Sequence, residues 1–345
     1  MLIDTKTETI LYLAARIKKM IENGHIPVRK VTFWPCTLWG QIINQEQLEK
    51  LLQKKQWIVN VTPGTKGQSF TLGTLAGPKL YSLRTDQLVS LNLYNDNEKI
   101  PYSSAPLIVQ GYVSGGALQG VEFTKDDIDR QMNFLTAMTK FIASYTAEGQ
   151  YFPRRGWQKN LVLCAKNGTL KCTNVDSKRE KLKFLVHLKG HQPLTGTLKS
   201  KPDTGHWLEP IVAAAFLRAG RDKITDLAVG IKWDWPKKKK SESFRTEIDV
   251  ALVWEHQYLG ISCKLGVEKG YFQKVRNEIM AEARTNFGRF AVPVLVRGGI
   301  RATHGVNIAQ SSTKSELLQI PLPILDQSEL IAGLVEKFLK NKRTV

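Results

Sequence analysis

Residues 246–264, TEIDVALVWEHQYLGISCK, constrain this chain more than any other stretch. Apolar and polar residues alternate on both sides of the polar tip Glu255-His256-Gln257, a period of two that predicts two β-strands joined in a hairpin. With His256-Gln257 as a two-residue loop, Asp249 stands directly across from Lys264 on one face of the pair. Glu247 and Ser262 share that face, because alternate residues of a strand point the same way. An acid and a lysine held opposite each other suit metal-assisted phosphodiester cleavage. The acid holds a divalent cation, while the lysine orients water and offsets charge on the phosphate. An ordinary cross-strand ion pair would use the same two residues. Both charges, however, interrupt strongly apolar strands: Asp249 lies between Ile248 and Val250, and Lys264 follows Ile261-Ser262-Cys263. Charges in such places are usually paired or metal-bound, since burying them alone is costly.

The flanking segments extend the pattern. In DTGHWLEPIVAAAFLRAG (203–220), apolar residues recur at Leu208, Ile211, Val212, Ala215 and Phe216, and Gly220 supplies a stop. Pro210 is tolerated only in a first turn, so the helix starts within 205–209. Glu209 then falls in that first turn, where an acid also suits the helix dipole, and Trp207 reads as core. Residues 224–235 are strand-like and are followed by the polar run PKKKKSES and the hairpin. Residues 271–287 form a helix with Phe272, Val275, Ile279 and Ala283 on one face, and Gly288 ends it. FAVPVLV closes the series as a strand in which Pro293 predicts an edge or bulged position. The order is helix, three strands, helix, strand.

That order, carrying GHWLEPIV, EIDVALV, ISCK and PVLVRGG, resembles the restriction-endonuclease-like fold of PD-(D/E)xK nucleases. It is most similar to the nuclease domain of CRISPR-associated effectors that bear a CARF domain. The resemblance implies an endonuclease of type III CRISPR antiviral defence, switched on by cyclic oligoadenylate. Such enzymes cut single-stranded RNA or DNA, or nick duplex DNA, with Mg2+ or Mn2+. Residue by residue, it implies Glu209, Asp249 and Lys264 as catalytic, with Glu209 and Asp249 as metal ligands. One position departs from the motif: its middle acid, two residues before the lysine, is Ser262, a weak ligand. Metal binding then leans on Glu209, Asp249 and a backbone carbonyl, with Glu247 as an auxiliary acid.

The first half alternates strand and helix. Helices are predicted at 9–21, 41–52 and 67–76, and strands at 28–33, 57–61 and from 79 to 83. Such alternation predicts a parallel sheet wound in the Rossmann manner, with ligands beyond the carboxyl ends of the strands. The loop TPGTKGQS occupies such a place. Its amides, its threonine hydroxyls and Lys66, set before a helix N-terminus, suit a phosphate as well as a plain turn. Lys66 precedes Gly67, so this is not the Walker A order and nucleotide hydrolysis is not expected. NVTPGTKGQSFTLGTLA is similar to the loop and helix with which CARF domains hold cyclic oligoadenylate. The resemblance implies Thr62, Gly64, Thr65 and Lys66 as phosphate-facing residues and cyclic tetra-adenylate as the expected activator. Two copies of the loop would meet across a two-fold axis, so a homodimer is expected. CARF domains open with a strand, yet only residues 1–4 precede the first predicted helix. That strand is therefore vestigial here, or the chain begins late relative to its relatives.

Length and charge agree with this division. A chain of 345 residues accommodates two domains: an α/β, Rossmann-like CARF domain at 1–148 and an αβββαβ nuclease domain at 149–345. The helix predicted at 124–145 closes the first, and GQYFPRRG links them. Residues 1–150 hold 16 Lys and Arg against 13 Asp and Glu, whereas residues 151–345 hold 34 against 18. A basic excess confined to the second half is the footprint expected of a nucleic-acid partner. No apolar run nears the ~20 residues of a membrane span and no signal peptide opens the chain, so no membrane partner and a prokaryotic cytoplasmic location are expected. Four scattered cysteines and six unclustered histidines provide no zinc site, and His206 reads as a capping or surface residue. Two other functions fit the same residues: a nucleic-acid-binding regulator made inert by Ser262, and a repair or restriction nuclease with no second messenger.

Overall fold

The computed structural model describes residues 2–5, 33–36, 45–54, 59–60, 80–84, 87–90, 99–101, 117–153, 161–176, 181–199, 205–236, 243–255, 257–265, 272–287, 291–298 and 316–343. The chain forms two compact units, residues 1–115 and 116–345.

In the first unit, β1 (Leu2–Thr5) pairs in parallel with β2 (Phe33–Cys36). A short strand of four residues thus stands ahead of the first predicted helix, where the sequence left open a vestigial strand or a late start. Helix α1 (Gln45–Lys54) follows, then β3 (Val59–Asn60), which pairs in parallel with β4 (Leu80–Arg84). The parallel pairs agree with a wound α/β unit. Strands β5 (Gln87–Ser90) and β6 (Lys99–Pro101) then run antiparallel and extend the sheet to β3-β4-β5-β6. The helices predicted at 9–21 and 67–76 and the loop residues Thr62, Gly64, Thr65 and Lys66 lie outside the described residues.

The second unit is built on a seven-stranded mixed sheet. Its strands are β7 (Ala117–Gly120), β8 (Phe123–Thr124), β13 (Ile224–Pro236), β14 (Ser243–Trp254), β15 (Gln257–Lys264), β16 (Val292–Arg297) and β17 (Leu318–Pro321). They run in the order β17-β16-β15-β14-β13-β7, with β8 also on β13. Helix α2 (Lys125–Arg130) starts on a capping box in which Thr124 and Asp127 satisfy each other's backbone N–H. Next comes α3 (Met132–Ala147), whose residues Leu135, Met138, Phe141, Ile142 and Tyr145 recur at helical spacing and are buried. A separate antiparallel sheet, β12-β11-β10-β9, packs against α3; its strands are β9 (Leu161–Ala165), β10 (Gly168–Asp176), β11 (Lys181–Leu188) and β12 (Leu194–Lys199). The division at 115/116 precedes the expected boundary at 148/149. The reason is packing: α3 buries its apolar stripe on elements of the second unit rather than closing the first.

Helix α4 (Leu208–Ala219) lies at the centre, with every residue from Leu208 to Leu217 buried. A helix apolar on all sides belongs inside a core, and here α3, β13, β14 and α6 (Ser328–Arg343) surround it. The order α4, β13, β14, β15, α5 (Phe272–Phe287), β16 is the αβββαβ series read in the sequence. Pro293 needs different treatment, since β16 is an interior strand. Pairing with β17 begins only at Val294, so at Pro293 the strand has β15 as its one neighbour. Among the described residues no helix is long and apolar enough to cross a membrane.

Gly220 closes α4 and holds the next turn, accepting from Lys223 N and Ile224 N. A Cβ there would lie 2.5 Å from the ring of the fully buried Trp254. Gly220→Ala is expected to destabilise the unit by about 1–3 kcal/mol through overpacking, read as a lower urea midpoint at unchanged slope. A wild-type midpoint would mean that the ring moves aside without cost.

Candidate active site

The hairpin is real, but its strands pair up to Trp254 and Gln257, with Val250 opposite Ile261. Glu255 adopts φ 53°, the left-handed backbone that a two-residue hairpin loop demands. The pairing is shifted by two residues from the expected one, which brings Ser262 rather than Lys264 level with Asp249. A shift of two preserves the face, because side chains alternate with period two. Asp249 and Lys264 therefore still meet, along a diagonal: Lys264 Nζ is 3.9 Å from Asp249 Oδ2.

Asp249 Oδ2 is held from the neighbouring strand. Cys263 N–H donates to it at 2.7 Å and the Ser262 hydroxyl at 3.1 Å. Across the other strand, Gly230 lies between the pairs Val229–Val250 and Ile231–Ile248 and so faces Asp249. Its φ is +61°, and a Cβ there would meet the Glu122 side chain at 2.6 Å. Glycine at this point lets the Glu122 side chain pass close to the strand. Glu122 is itself bound at 3.1 Å by Lys232, which also lies 3.4 Å from Glu247 Oε1, an ion pair without hydrogen-bond geometry.

Glu209 comes from the first turn of α4, and it is the one acid of that helix. The residue is 4 % exposed. Nδ1 of His206, one turn earlier, is hydrogen-bonded to Oε1 at 2.7 Å, while Oε2 is buried with no hydrogen-bond partner among the described residues. Burial pushes the Glu209 carboxyl up to about 7; the His206 hydrogen bond opposes this, and the charges of Asp249 and Glu122 add to it. At 1.36 kcal/mol per unit, ionising it in place costs on the order of 3 kcal/mol. His206 is raised in turn, chiefly by its bond to Glu209. It is thus part of the site and not only a cap.

Glu282 of α5 was not found from the sequence. It lines a small cleft with Asp249, Ser262, Ile248, Ile261 and Ile279. Burial, followed by the Asp249 charge, pushes its carboxyl up to about 7. A signal was present: Glu282 sits within the apolar stripe Val275-Ile279-Ala283. Glu122 and Lys232 had no comparable local signal, since their role depends on β8 and β13 being neighbours. Cys164 and Cys172 stand on facing strands but on opposite faces, one exposed and one buried.

The donor set suits a divalent cation of the magnesium type. Two carboxylates, one with an unpartnered oxygen, leave further positions for water and backbone oxygen, as such cations prefer. Among the described residues no group of three or more His, Cys, Asp and Glu side chains is placed to hold a metal.

No protein-family model matches the chain, and no curated protein matches it. Solved structures do share its fold. Protein VC1899 from Vibrio cholerae is similar with a TM-score of 0.58 at 13% identity, over 98% of this chain and 91% of that one. Can2 from Sulfobacillus thermosulfidooxidans, in complex with cyclic tetra-adenylate, is similar with a TM-score of 0.55 at 12% identity, over 98% and 91%.

The pKa directions set a pH test. Glu209 and His206 both bind protons more tightly in the folded chain, so both stabilise at low pH and lose that contribution as pH rises. The loss begins near the ordinary Glu value of 4.5 and runs through about 7, continuing until His206 is neutral. Glu209→Gln removes both effects. In the absence of divalent cations its melting temperature should gain on wild type as pH is raised through this window. A gap that stays constant with pH would refute the assignment.

Proposed function

We propose that this chain is a metal-dependent endonuclease activated by cyclic oligoadenylate and acting in type III CRISPR defence, in the cytoplasm of a prokaryotic cell. The observation that supports this reading is that, on the αβββαβ core, Lys264 Nζ stands 3.9 Å from Asp249, whose charge also acts on the buried Glu209. The substrates are single-stranded RNA or DNA, or duplex DNA that is nicked.

Glu209 and Asp249 would hold Mg2+ or Mn2+, which when bound supplies a Lewis acid and lowers the pKa of coordinated water. The chain's own groups prepare the site. Cys263 N–H and the Ser262 hydroxyl fix Asp249 Oδ2 in one rotamer. His206 holds one oxygen of Glu209 and leaves the other bare. The Lys264 ammonium, close to Asp249 yet partly open to solvent, faces the phosphate and stabilises the charge that grows on it during attack. Glu247, in an ion pair with Lys232, is the auxiliary acid.

The activator reading draws on the shared fold with Can2, a protein seen with cyclic tetra-adenylate, and on the sequence of the loop bearing Thr62, Gly64, Thr65 and Lys66. In a homodimer two such loops would face one ring with repeating phosphates.

Asp249→Asn and Lys264→Ala should each slow cleavage by about 100-fold or more, the scale of losing one electrostatic contributor to a transition state. The assay is digestion of labelled single- and double-stranded substrates with manganese, with and without cyclic tetra-adenylate. A wild-type rate in either variant at saturating metal refutes the site.

Lys66→Ala removes a charge-assisted phosphate contact, twice over in a dimer. Half-maximal activation should move to higher cyclic tetra-adenylate concentration while the rate at saturation stays near wild type. An unmoved activation curve, with calorimetry showing no ring binding to the wild-type protein, would eliminate the activator and leave an ungated nuclease.

A further inference from the structure

The outward face of the sheet β9–β12 takes no part in the site above. On β11 the alternation is complete: Leu182, Phe184, Val186 and Leu188 are buried, and the residues between them are exposed. Register carries the outward set across the strands, so that Val162, Lys171, Leu185 and Thr195 form one row. Lys183, between Thr173 and Thr197, stands in the next row, with Lys181 beyond it on β11.

Two features distinguish this face from a merely solvated one. Lys171 and Lys183 have only Val162, Leu185 and threonines level with them, the one acid that the register brings to the face being Asp176, opposite Lys181, and neither lysine makes an ion pair with a described residue. It also exposes large apolar side chains, Val162 at 55% and Leu185 at 38%, on either side of Lys171. Residues 116–345 hold 37 Lys and Arg against 23 Asp and Glu, a net of +14, and exposed lysines with no ion pair among the described residues present part of that excess to a polyanion. A duplex keeps its bases stacked inside and would engage the lysines alone. A single strand brings both phosphates for the lysines and open base faces for the apolar pair. The opposite side of the same sheet packs against the start of α4: the ring of Phe184 lies 5.7 Å from that of Trp207, two residues before Glu209.

We propose that the outward face of β9–β12 binds single-stranded polynucleotide and feeds it to the Glu209-Asp249-Lys264 site. Its purpose rests on the nuclease reading; the binding itself does not.

The test uses the full chain and labelled oligothymidylate, oligouridylate and a DNA duplex of equal length, titrated at several salt concentrations. Lys171→Gln with Lys183→Gln should raise Kd for both single strands severalfold. It should also reduce the slope of log affinity against log salt by roughly 1.4, at about 0.7 per single-strand phosphate contact. Val162→Thr with Leu185→Thr should weaken single strands and leave the duplex unaffected. All four side chains point outward, so melting temperatures should match wild type and confirm folding. An unchanged salt slope, an equal effect of the apolar pair on duplex, or a wild-type protein that binds no oligomer would overturn the proposal. Binding of this kind without cleavage would sink the nuclease reading and leave this one standing. Cleavage with unaltered binding in the lysine variant would do the reverse.

Discussion

One carboxylate governs the arrangement of the second unit. Glu209 stands in the first turn of a helix that is otherwise apolar and buried on every side. Three interactions make its place tolerable: the dipole at the helix start, the His206 hydrogen bond and a proton that burial retains to about pH 7. The helix start itself is wedged in place by aromatic contacts. Trp207 packs on Phe152 and Phe184, and Phe152 on Tyr145 of α3. Moving α3 into the first unit would open this cluster, which is why the chain divides before α3 and not after it.

The hairpin shows how far a sequence pattern reaches. Alternation over 246–264 specifies two strands and the face on which Glu247, Asp249, Ser262 and Lys264 lie, because a period of two admits no other assignment. It does not specify the loop. Glu255-His256 and His256-Gln257 give registers two residues apart, and both bury the same apolar face. What separates them is the left-handed backbone at Glu255, a conformation that the residue type does not announce. The expected pairing was therefore wrong in detail and right in its consequence, since Asp249 and Lys264 remain within reach.

Elements whose local pattern was strong were legible: α4 with Pro210 in its first turn, the strand at 224–236, and the helix at 272–287. Partners that depend on long-range pairing were not. Glu122 lies more than a hundred residues before Gly230 and Lys232, and it is the pairing of β7 and β8 with β13 that brings it to them. Glu282 was hidden for a different reason. In a helical stripe a lone acid reads as the edge of the apolar face, whereas here it lines the cleft beside Asp249.

Charge is segregated within the second unit. Glu122, Glu209, Glu247, Asp249 and Glu282 gather around the core of the site, where the charges of Asp249, Glu122 and Glu247 raise the cost of ionising Glu209 or Glu282, while lysines with no ion pair among the described residues stand on the outward sheet. Acids crowded in this way repel a phosphodiester, so lysines alone could attract a polyanion to the unit but not bring its phosphate to Asp249. On the proposed reading a divalent cation resolves the conflict, since it neutralises the crowded carboxylates and gives the phosphate a positive partner. Ser262 in place of the motif acid fits the same balance. A carboxylate level with Asp249 would add one more negative charge to this group, and the hydroxyl instead donates a hydrogen bond to Asp249. The departure from the motif thus lowers repulsion in the metal-free protein at the expense of one ligand.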